Sequence, residues 1–237
     1  MKPRYSILVT LLLLSFLFTV YAVWIATDNF DSYSVATTLE GASGGSSWTS
    51  NWDNTPNTGW TSETAPAGGQ GGVAARHTGT TSEATIRTFS SLTAGSVSFR
   101  VRISATSGSY SGITVRLGES GQQARMNISI SSTGNISLFD NDLGDWRAIT
   151  AYSIDTWYRV DIEFDDIGQP DKFRARVDGG TWTSWYKVSG ATYALVDQFM
   201  IDDAWTGSHT FWVDDISATS TQSPVPLFKR YYDLLRD

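Results

Sequence analysis

Glu163 and Asp165 are the two carboxylates whose spacing best fits acid and base chemistry. They stand at alternate positions, so on a β-strand both would point to the same side. Hydrolysis of a glycosidic bond with retention requires two carboxylates about 5 Å apart. Both acids can also be explained as the outward charged row of a hairpin, and we therefore predict no catalytic residue.

Histidines and acidic pairs are the other candidates for metal chemistry. His77 and His209 are the only histidines of the chain. Nothing in the sequence brings them together or supplies a third ligand, so we predict no zinc site. Acidic pairs stand at Asp202-Asp203 and Asp214-Asp215, near the ends of predicted strands. We interpret the first pair as part of a solvated edge.

Three tryptophans stand in a segment that otherwise has the composition of loops. Residues 41–72 are rich in Gly, Ser, Thr and Asn. An exposed indole can bind the C–H face of a sugar ring, because it combines apolar area with a polar edge. We therefore predict a ligand-binding surface formed by Trp48, Trp52, Asp53 and Trp60. The alternative is that these rings plug one end of the core.

The elements that would position these residues are β-strands. From Phe30 onward, apolar and polar residues alternate in short runs separated by turn residues, and no helical period precedes residue 226. Such alternation gives each strand one buried and one solvated face. The fold class is therefore all-β, a two-sheet antiparallel sandwich.

The segment from Trp157 to Asp178 predicts a β-hairpin in one register. If residues 166–171 form the turn, Asp165 pairs with Lys172. The further pairs are Glu163 with Arg174, Asp161 with Arg176, Arg159 with Asp178, Phe164 with Phe173, Ile162 with Ala175 and Val160 with Val177. Opposite charges then share one face and apolar residues the other, whereas a slip of one residue would bury the charges.

The two ends of the chain differ from the strand region. Lys2 and Arg4 precede an uncharged run over residues 7–25, which is the layout of an export signal. We predict that residues 1–26 are either a cleaved signal peptide or a hydrophobic helix retained as a membrane anchor. Residues 27–218 form the domain, residues 219–226 a linker, and residues 227–237 a short amphipathic helix.

The net charge restricts the possible partners, and the cysteine content restricts the possible sources of stability. Without residues 1–26, which hold two cations and no acid, the net charge changes from −7 to about −9, so nucleic acid is not a predicted partner. The chain has no cysteine. Stability outside the cytoplasm must therefore come from the burial of a core and not from disulfides.

Several short motifs resemble those of a known family. They are residues 28–33, residues 211–217, the segment Trp157-Tyr158-Arg159-Val160, and the turn that runs from Val177 to Trp182. Residues 27–218 resemble the bacterial concanavalin A-like lectin/glucanase and laminin-G-like jelly rolls, including carbohydrate-binding modules. Glu163-Phe164-Asp165 also resembles part of the Glu-x-Asp-x-x-Glu signature of relatives that cleave β-glucans, but Gly168 takes the place of the second Glu, so the signature is incomplete.

The resemblance implies a fold and a metal. In this family the first and last strands pair side by side, and many members bind a structural Ca²⁺ there. The resemblance thus implies a calcium site at Asp28, Asp31, Asp214 and Asp215. In a regular strand only one of Asp214 and Asp215 would be a ligand, because adjacent side chains point to opposite faces. The alternative is that these acids lie at a solvated edge.

The expected function is that of an extracytoplasmic carbohydrate-binding or adhesive module without catalytic activity. Its partner would be a glycan or a cell-surface glycoprotein, and the membrane would be a partner if the N-terminal segment is not cleaved. Two alternatives remain open, a glycoside hydrolase or lyase of the same fold and a structural protein of the cell surface or an appendage.

Overall fold

The computed structural model of the chain is built from β-strands. It describes residues 22–55, 59–68, 71–79, 83–107, 112–120, 126–165, 172–188, 195–203 and 208–221, and these contain no helix. The strands are β1 (Ala22–Asp28), β2 (Thr37–Thr38), β3 (Asp53–Thr55), β4 (Trp60–Thr64), β5 (Val73–Gly79), β6 (Glu83–Leu92), β7 (Gly95–Ser107), β8 (Gly112–Gly118), β9 (Met126–Ser131), β10 (Asn135–Asp140), β11 (Asp145–Ala151), β12 (Trp157–Asp165), β13 (Lys172–Val177), β14 (Tyr186–Lys187), β15 (Val196–Asp203) and β16 (Ser208–Thr221).

The strands form two antiparallel sheets. In the described residues, one sheet has nine strands in the order β14-β13-β12-β7-β16-β5-β4-β2, and β1 is also paired with β16. The other sheet has seven strands in the order β11-β10-β9-β8-β15-β6-β3. The predicted two-sheet antiparallel sandwich is confirmed.

The core lies between the two sheets because the strands alternate as their sequences predict. On β7, the side chains of Val97, Phe99 and Val101 are buried, and those between them face outward. Phe99 meets Phe199 of the opposite sheet edge-on, with 5.8 Å between ring centroids. This contact joins the two layers near the middle of the molecule.

The hairpin formed by β12 and β13 has the predicted register. Asp165 is opposite Lys172, and the pairing continues to Val160 opposite Val177. Beyond it, the amide of Arg159 donates to the Asp178 carboxylate. Phe164 is buried on the inner face of the hairpin. Both strands alternate regularly, and each residue pairs with a single residue of the other strand. The alternation in the sequence was therefore enough to predict this register.

The first and last strands lie side by side, as the family resemblance implies. Ala22 pairs with Thr221 and Asp28 with Ile216. The sandwich therefore includes residues 22–26 and 219–221, which the sequence analysis assigned to the export segment and the linker. The rest of the predicted N-terminal helix, and the whole predicted C-terminal helix, lie outside the described residues. Within the described ranges, no helix has the length and apolar character needed to cross a membrane.

Candidate functional site

The three loop tryptophans do not form a common surface. Trp52 and Trp60 are fully buried, Trp48 is half-buried, and Asp53 is exposed on an edge strand. The predicted ligand-binding surface is therefore wrong for Trp52 and Trp60. The physical reason is that this segment supplies β3 to one sheet and β4 to the other, so it closes the end of the sandwich. The rings plug the core, which was the alternative interpretation.

Asp28 is a structural carboxylate and not a free metal ligand. It forms a buried ion pair with Arg87 of β6. It also accepts hydrogen bonds from the Tyr33 hydroxyl at 2.6 Å, the Trp52 indole N–H at 3.1 Å and the Phe30 amide at 2.9 Å. Both carboxylate oxygens are already held by donors of the protein. Calcium binding by Asp28 would require some of these donors to be displaced, and it stays a prediction.

The partner of Asp28 is equally well held. The Arg87 guanidinium donates to the carbonyl oxygens of Gly44 at 2.7 Å and Ser50 at 3.0 Å. It also lies over the rings of Trp48 and Trp52, 4.7 Å and 5.5 Å from their centroids. We call Asp28, Arg87 and these two tryptophans the buried arginine cluster. It ties β1, β6 and the loop before β3 together.

The remaining predicted calcium ligands lie near a bulge in β16. Asp215 pairs with Arg100 at 3.2 Å, and Asp31 accepts a hydrogen bond from the Val73 amide at 3.0 Å. Asp214 is 1% exposed, and its Oδ2 is buried with no hydrogen-bond partner. These three acids do not form a set of ligand atoms that all lie within 4.8 Å of one another. Calcium binding by Asp31, Asp214 and Asp215 stays a prediction.

Burial raises the pKa values of the two carboxylates at this bulge. It raises the pKa of Asp214 to about 7, and the nearby charges of Asp215 and Asp31 add to the effect. Burial also raises the pKa of Asp215, although Arg100 opposes that shift. Asp215 adopts a positive φ of 49° where the pairing of β16 with β7 shifts register. The bulge is what places two successive carboxylates near Asp31.

The outer face of the nine-stranded sheet carries a ladder of ion pairs. Arg174 donates twice to Glu163 Oε2, at 2.7 Å from Nε and 2.6 Å from Nη2. Lys172 pairs with Asp165 at 3.3 Å. Each carboxylate of the Glu163-Phe164-Asp165 segment is thus paired with a cation on the neighbouring strand, as the predicted register requires.

Asp161 occupies the centre of this ladder. It accepts hydrogen bonds from Ser98 at 2.7 Å, from Arg159 at 2.8 Å and from Arg176 at 2.9 Å. Burial alone would raise the pKa of Asp161, but these three donors outweigh it and lower the pKa below its ordinary value. Asp161 therefore stays ionised at neutral pH and is suited to hold arginines in place.

Two tryptophans that were not among the predicted ligand-binding residues border the ladder. Trp182 and Trp185 follow β13 in a segment tied back to it, since the Thr183 amide donates to the Ala175 carbonyl at 2.9 Å. The Arg174 guanidinium lies 4.8 Å and 4.5 Å from the centroids of the two indole rings. Trp185 remains 37% exposed. We call the ladder and these indoles the exposed arginine cluster.

A cleft runs from this cluster across the sheet to β1. Near β1 it encloses about 540 Å³, and its lining includes Trp24, Arg100, Asp215 and Ser217. Beside it, a depression of about 310 Å³ is lined by residues that include Glu163 and Trp182. Ser98 and Arg159 line both volumes, so the two volumes adjoin each other. Trp24, which is 63% exposed, and the half-buried Trp182 are the indoles in the two linings.

A third cluster joins residues that the sequence analysis kept apart. His77 Nδ1 lies 3.2 Å from His209 Nε2, although the two residues are 132 positions apart. Asp203 Oδ2 lies 2.9 Å from His209 Nε2. All three residues are buried, so the interpretation of Asp203 as part of a solvated edge is wrong. The available signal was parity, because His209 alternates with the inward residues Phe211 and Val213.

Comparisons with known proteins identify the fold. No protein-family model and no curated protein sequence matches the chain. A sialidase structure matches with a TM-score of 0.54 and 9% identity over 69% of this chain, but over only 17% of the sialidase. A carbohydrate esterase from the Shiga toxin-encoding bacteriophage phi24B matches with a TM-score of 0.53 and 15% identity, over 84% of this chain and 99% of the esterase.

A third neighbour belongs to the group that the sequence resembled. It is a non-specific endo-β-1,3(4)-glucanase of family GH16, with a TM-score of 0.51 and 10% identity over 85% of this chain and 92% of the glucanase. The resemblance to lectin/glucanase jelly rolls is thus confirmed at the level of the fold. Identities this low show the fold and leave the activity to the chemistry of the site.

Proposed function

We propose that this domain binds a carbohydrate along the outer-face cleft and does not cleave it. The observation that carries the proposal is the arrangement of that cleft. The exposed indole of Trp24 stands at one end and the half-buried indole of Trp182 at the other, and a row of ion-paired polar side chains lies between them. The volume near β1, about 540 Å³, lies in the range of ligand sites, about 300–1,000 Å³.

The lining has the chemistry that a sugar chain needs. Pyranose rings present C–H faces to indoles and hydroxyls to polar groups at their edges. Ser98, Ser217 and Arg159 offer such polar groups along the middle of the cleft. The ion pairs hold the arginines in place before a ligand arrives, which lowers the entropy cost of binding.

The state of the carboxylates supports binding without hydrolysis. A glycosidase needs a carboxylic acid whose pKa is raised so that it can donate a proton to the leaving group. Glu163 accepts hydrogen bonds from two nitrogen atoms of Arg174. The pKa of Asp161 is lowered by the donors that surround Asp161. Both acids are better suited to orient arginines than to transfer protons.

We place the domain outside the cytoplasm, either secreted or anchored to a membrane. The support is the uncharged run that follows Lys2 and Arg4, which has the layout of an export segment. Its partner there would be a polysaccharide or the glycan of a cell-surface glycoprotein.

A glycan array followed by titration calorimetry tests the proposal. We expect Trp182→Ala combined with Trp185→Ala to weaken binding of the selected glycan at least about tenfold, because aromatic stacking is lost. Trp146→Ala is the matched control, since this half-buried indole lies on β11 of the other sheet. Unchanged affinity in the double variant, with a wild-type melting curve, would contradict the proposal, as would the absence of any bound glycan.

One observation favours hydrolysis as a second candidate function. Asp215 lines the cleft, and burial raises its pKa, which is a property of catalytic acids. Incubation with β-glucans and sialylated glycans, followed by measurement of released reducing ends, distinguishes the two functions. Release that Asp215→Asn abolishes would establish an enzyme. Binding without release, in both the wild type and this variant, supports a binding module.

A further inference from the structure

We infer that His77, His209 and Asp203 form a zinc site that joins the two sheets. His77 lies on β5 and His209 on the adjacent β16, both in the nine-stranded sheet. Asp203 is the last residue of β15 in the opposite sheet. In the part of the chain that the structure describes, these residues are the only three potential ligands whose atoms all lie within 4.8 Å of one another.

Strand pairing explains why the two histidines meet. Phe211 is opposite His77 across the β5 and β16 ladder, so His209 is a diagonal neighbour on the same inward face. On β15, Phe199, Ile201 and Asp203 alternate toward the same interior. Each ligand is therefore placed by a regular strand, which holds a metal site more rigidly than a loop would.

The three ligand atoms surround a point at the bonding distance of zinc. The separations are 3.2 Å between His77 Nδ1 and His209 Nε2, 2.9 Å between His209 Nε2 and Asp203 Oδ2, and 3.8 Å between His77 Nδ1 and Asp203 Oδ2. A triangle with these sides has its centre about 2 Å from each atom, and zinc binds imidazole nitrogen and carboxylate oxygen at about 2.0–2.2 Å.

The surroundings fix the ligands in this orientation. Trp60 packs on His77 with 5.0 Å between ring centroids, and Phe211 packs on His209 at 4.7 Å. Two imidazoles and one carboxylate are ligands that suit zinc, and a divalent cation would offset the charge of a buried aspartate. A fourth ligand, either the second Asp203 oxygen or a water molecule, would complete a tetrahedron.

The inferred site is separate from the cleft and has a different role. The cleft uses the later part of β16, from Asp215 onward, whereas His209 stands near the start of that strand. The site is enclosed, as structural zinc sites are. In a chain without cysteine, a metal bound by both sheets would provide the cross-link that a disulfide provides in other exported domains.

Refolding with and without zinc tests the inference on protein that carries no histidine tag. Because the site is buried, the chain should be unfolded with a chelator and refolded with either zinc or the chelator present. We expect about one zinc per chain by mass spectrometry and a melting temperature at least about 4 °C higher in the zinc sample. Zinc below about 0.1 per chain after refolding with the metal would overturn the inference and leave a hydrogen-bonded cluster.

Variants connect the metal to the named ligands. His209→Gln and Asp203→Asn should lose both the bound zinc and the increase in melting temperature. Phe164→Ala is the control, since it removes core packing on β12, away from the three ligands, and should keep both. A ligand variant that refolds and still holds stoichiometric zinc would contradict the inference.

Nuclear magnetic resonance gives an answer even if the ligand variants fail to fold. The chain has two histidines, so the imidazole ¹⁵N spectrum contains only their signals. Refolding the wild type with zinc should shift the nitrogen signals of both rings relative to the chelator sample. Unchanged imidazole signals would overturn the inference. Neither readout involves glycan binding, so the two proposals can fail separately.

Discussion

The molecule contains two clusters that each combine an arginine, an acidic side chain and two tryptophans. In the buried arginine cluster, Arg87 pairs with Asp28 under Trp48 and Trp52, and the side chains of the ion pair are 2% and 0% exposed. In the exposed arginine cluster, Arg174 pairs with Glu163, and the side chains are 28% and 27% exposed. Both guanidinium groups lie within 6 Å of indole rings.

The difference shows that burial, and not residue type, decides what such a cluster contributes. Removing one partner of a buried ion pair leaves a charge without compensation, which is strongly destabilising. An exposed pair contributes little to stability, because water solvates either charge well. It does, however, remain accessible to a ligand. The buried cluster should therefore determine folding, and the exposed cluster should determine recognition.

Arg87→Met should have the largest effect on stability. It leaves the Asp28 carboxylate buried without a cation and should lower the free energy of unfolding by roughly 3–5 kcal/mol. Urea unfolding measures the loss. Combining it with Asp28→Asn, which removes the charge, should recover part of the loss. A single variant within about 1 kcal/mol of the wild type would show that burial does not separate the two clusters.

Phe164→Ala should reduce stability by a similar amount. Phe164 lies on the inner face of the hairpin whose outer face carries the exposed arginine cluster. Phe164 is 1% exposed and lies opposite Phe173, so its loss leaves a cavity in the core. We expect a decrease of roughly 3–5 kcal/mol in the free energy of unfolding. Phe164→Leu, which keeps most of the volume, is the control and should cost clearly less. Equal losses in the two variants would mean that packing is not the cause.

The sequence predicted the exposed cluster better than the buried one, because the exposed cluster depends on local pairing. One hairpin holds Asp161, Glu163, Arg174 and Arg176, and alternation with charge complementarity was sufficient to place them. The partners Asp28 and Arg87 are 59 residues apart, and only the complete topology brings them together. Calcium was assigned to Asp28 from the family resemblance, and nothing in the sequence identified Arg87 as its partner.

The same limit applies to the other residues that were misplaced. Trp52 and Trp60 stand in loop-like sequence, and their burial depends on β3 and β4 joining opposite sheets. His77 and His209 meet through the pairing of β5 with β16. Inward parity marks His209 in the sequence, but parity alone does not identify the partner.

Calcium should stabilise the domain if the remaining acids at the bulge form the predicted site. Ca²⁺ binds six to eight oxygen atoms, and Asp31, Asp214 and Asp215 would supply some of them. Binding to the folded state raises stability by about 2.7 kcal/mol at a hundredfold excess over Kd. Melting curves with calcium and with chelator measure this. Equal midpoints across millimolar calcium would end the prediction, and a rise that both Asp214→Ala and Asp215→Ala leave intact would place the ion elsewhere.

Asp214→Asn should change how stability depends on pH when chelator is present. Burial raises the pKa of Asp214 to about 7 in the folded state from an ordinary 3.8. Between these values the folded state holds a proton that the unfolded state has lost, so stability decreases as pH rises from about 4 to 7. At pH 8 the variant avoids the cost of a buried charge and should be more stable by about 1–3 kcal/mol after allowance for solvent screening.

Urea unfolding across this pH range measures the prediction. The difference in free energy of unfolding between Asp214→Asn and the wild type should be small at pH 4 and should grow toward pH 8. Asp161→Asn is a matched control, because the pKa of Asp161 is lowered and its contribution has the opposite sign. A constant difference between wild type and Asp214→Asn would contradict the raised pKa.

Arg174→Ala should have the smallest effect on stability, and it tests the comparison most directly. Glu163 loses its ion pair but keeps access to water, so the free energy of unfolding should decrease by less than about 1 kcal/mol. A double-mutant cycle with Glu163→Gln should give a coupling energy in the same range, which urea unfolding can resolve. Glycan affinity should nevertheless fall, because Arg174 lines the cleft and packs against the indoles of Trp182 and Trp185. A loss of 3 kcal/mol or more, roughly the cost expected for a buried pair, would mean that this cluster contributes to folding as the buried one does.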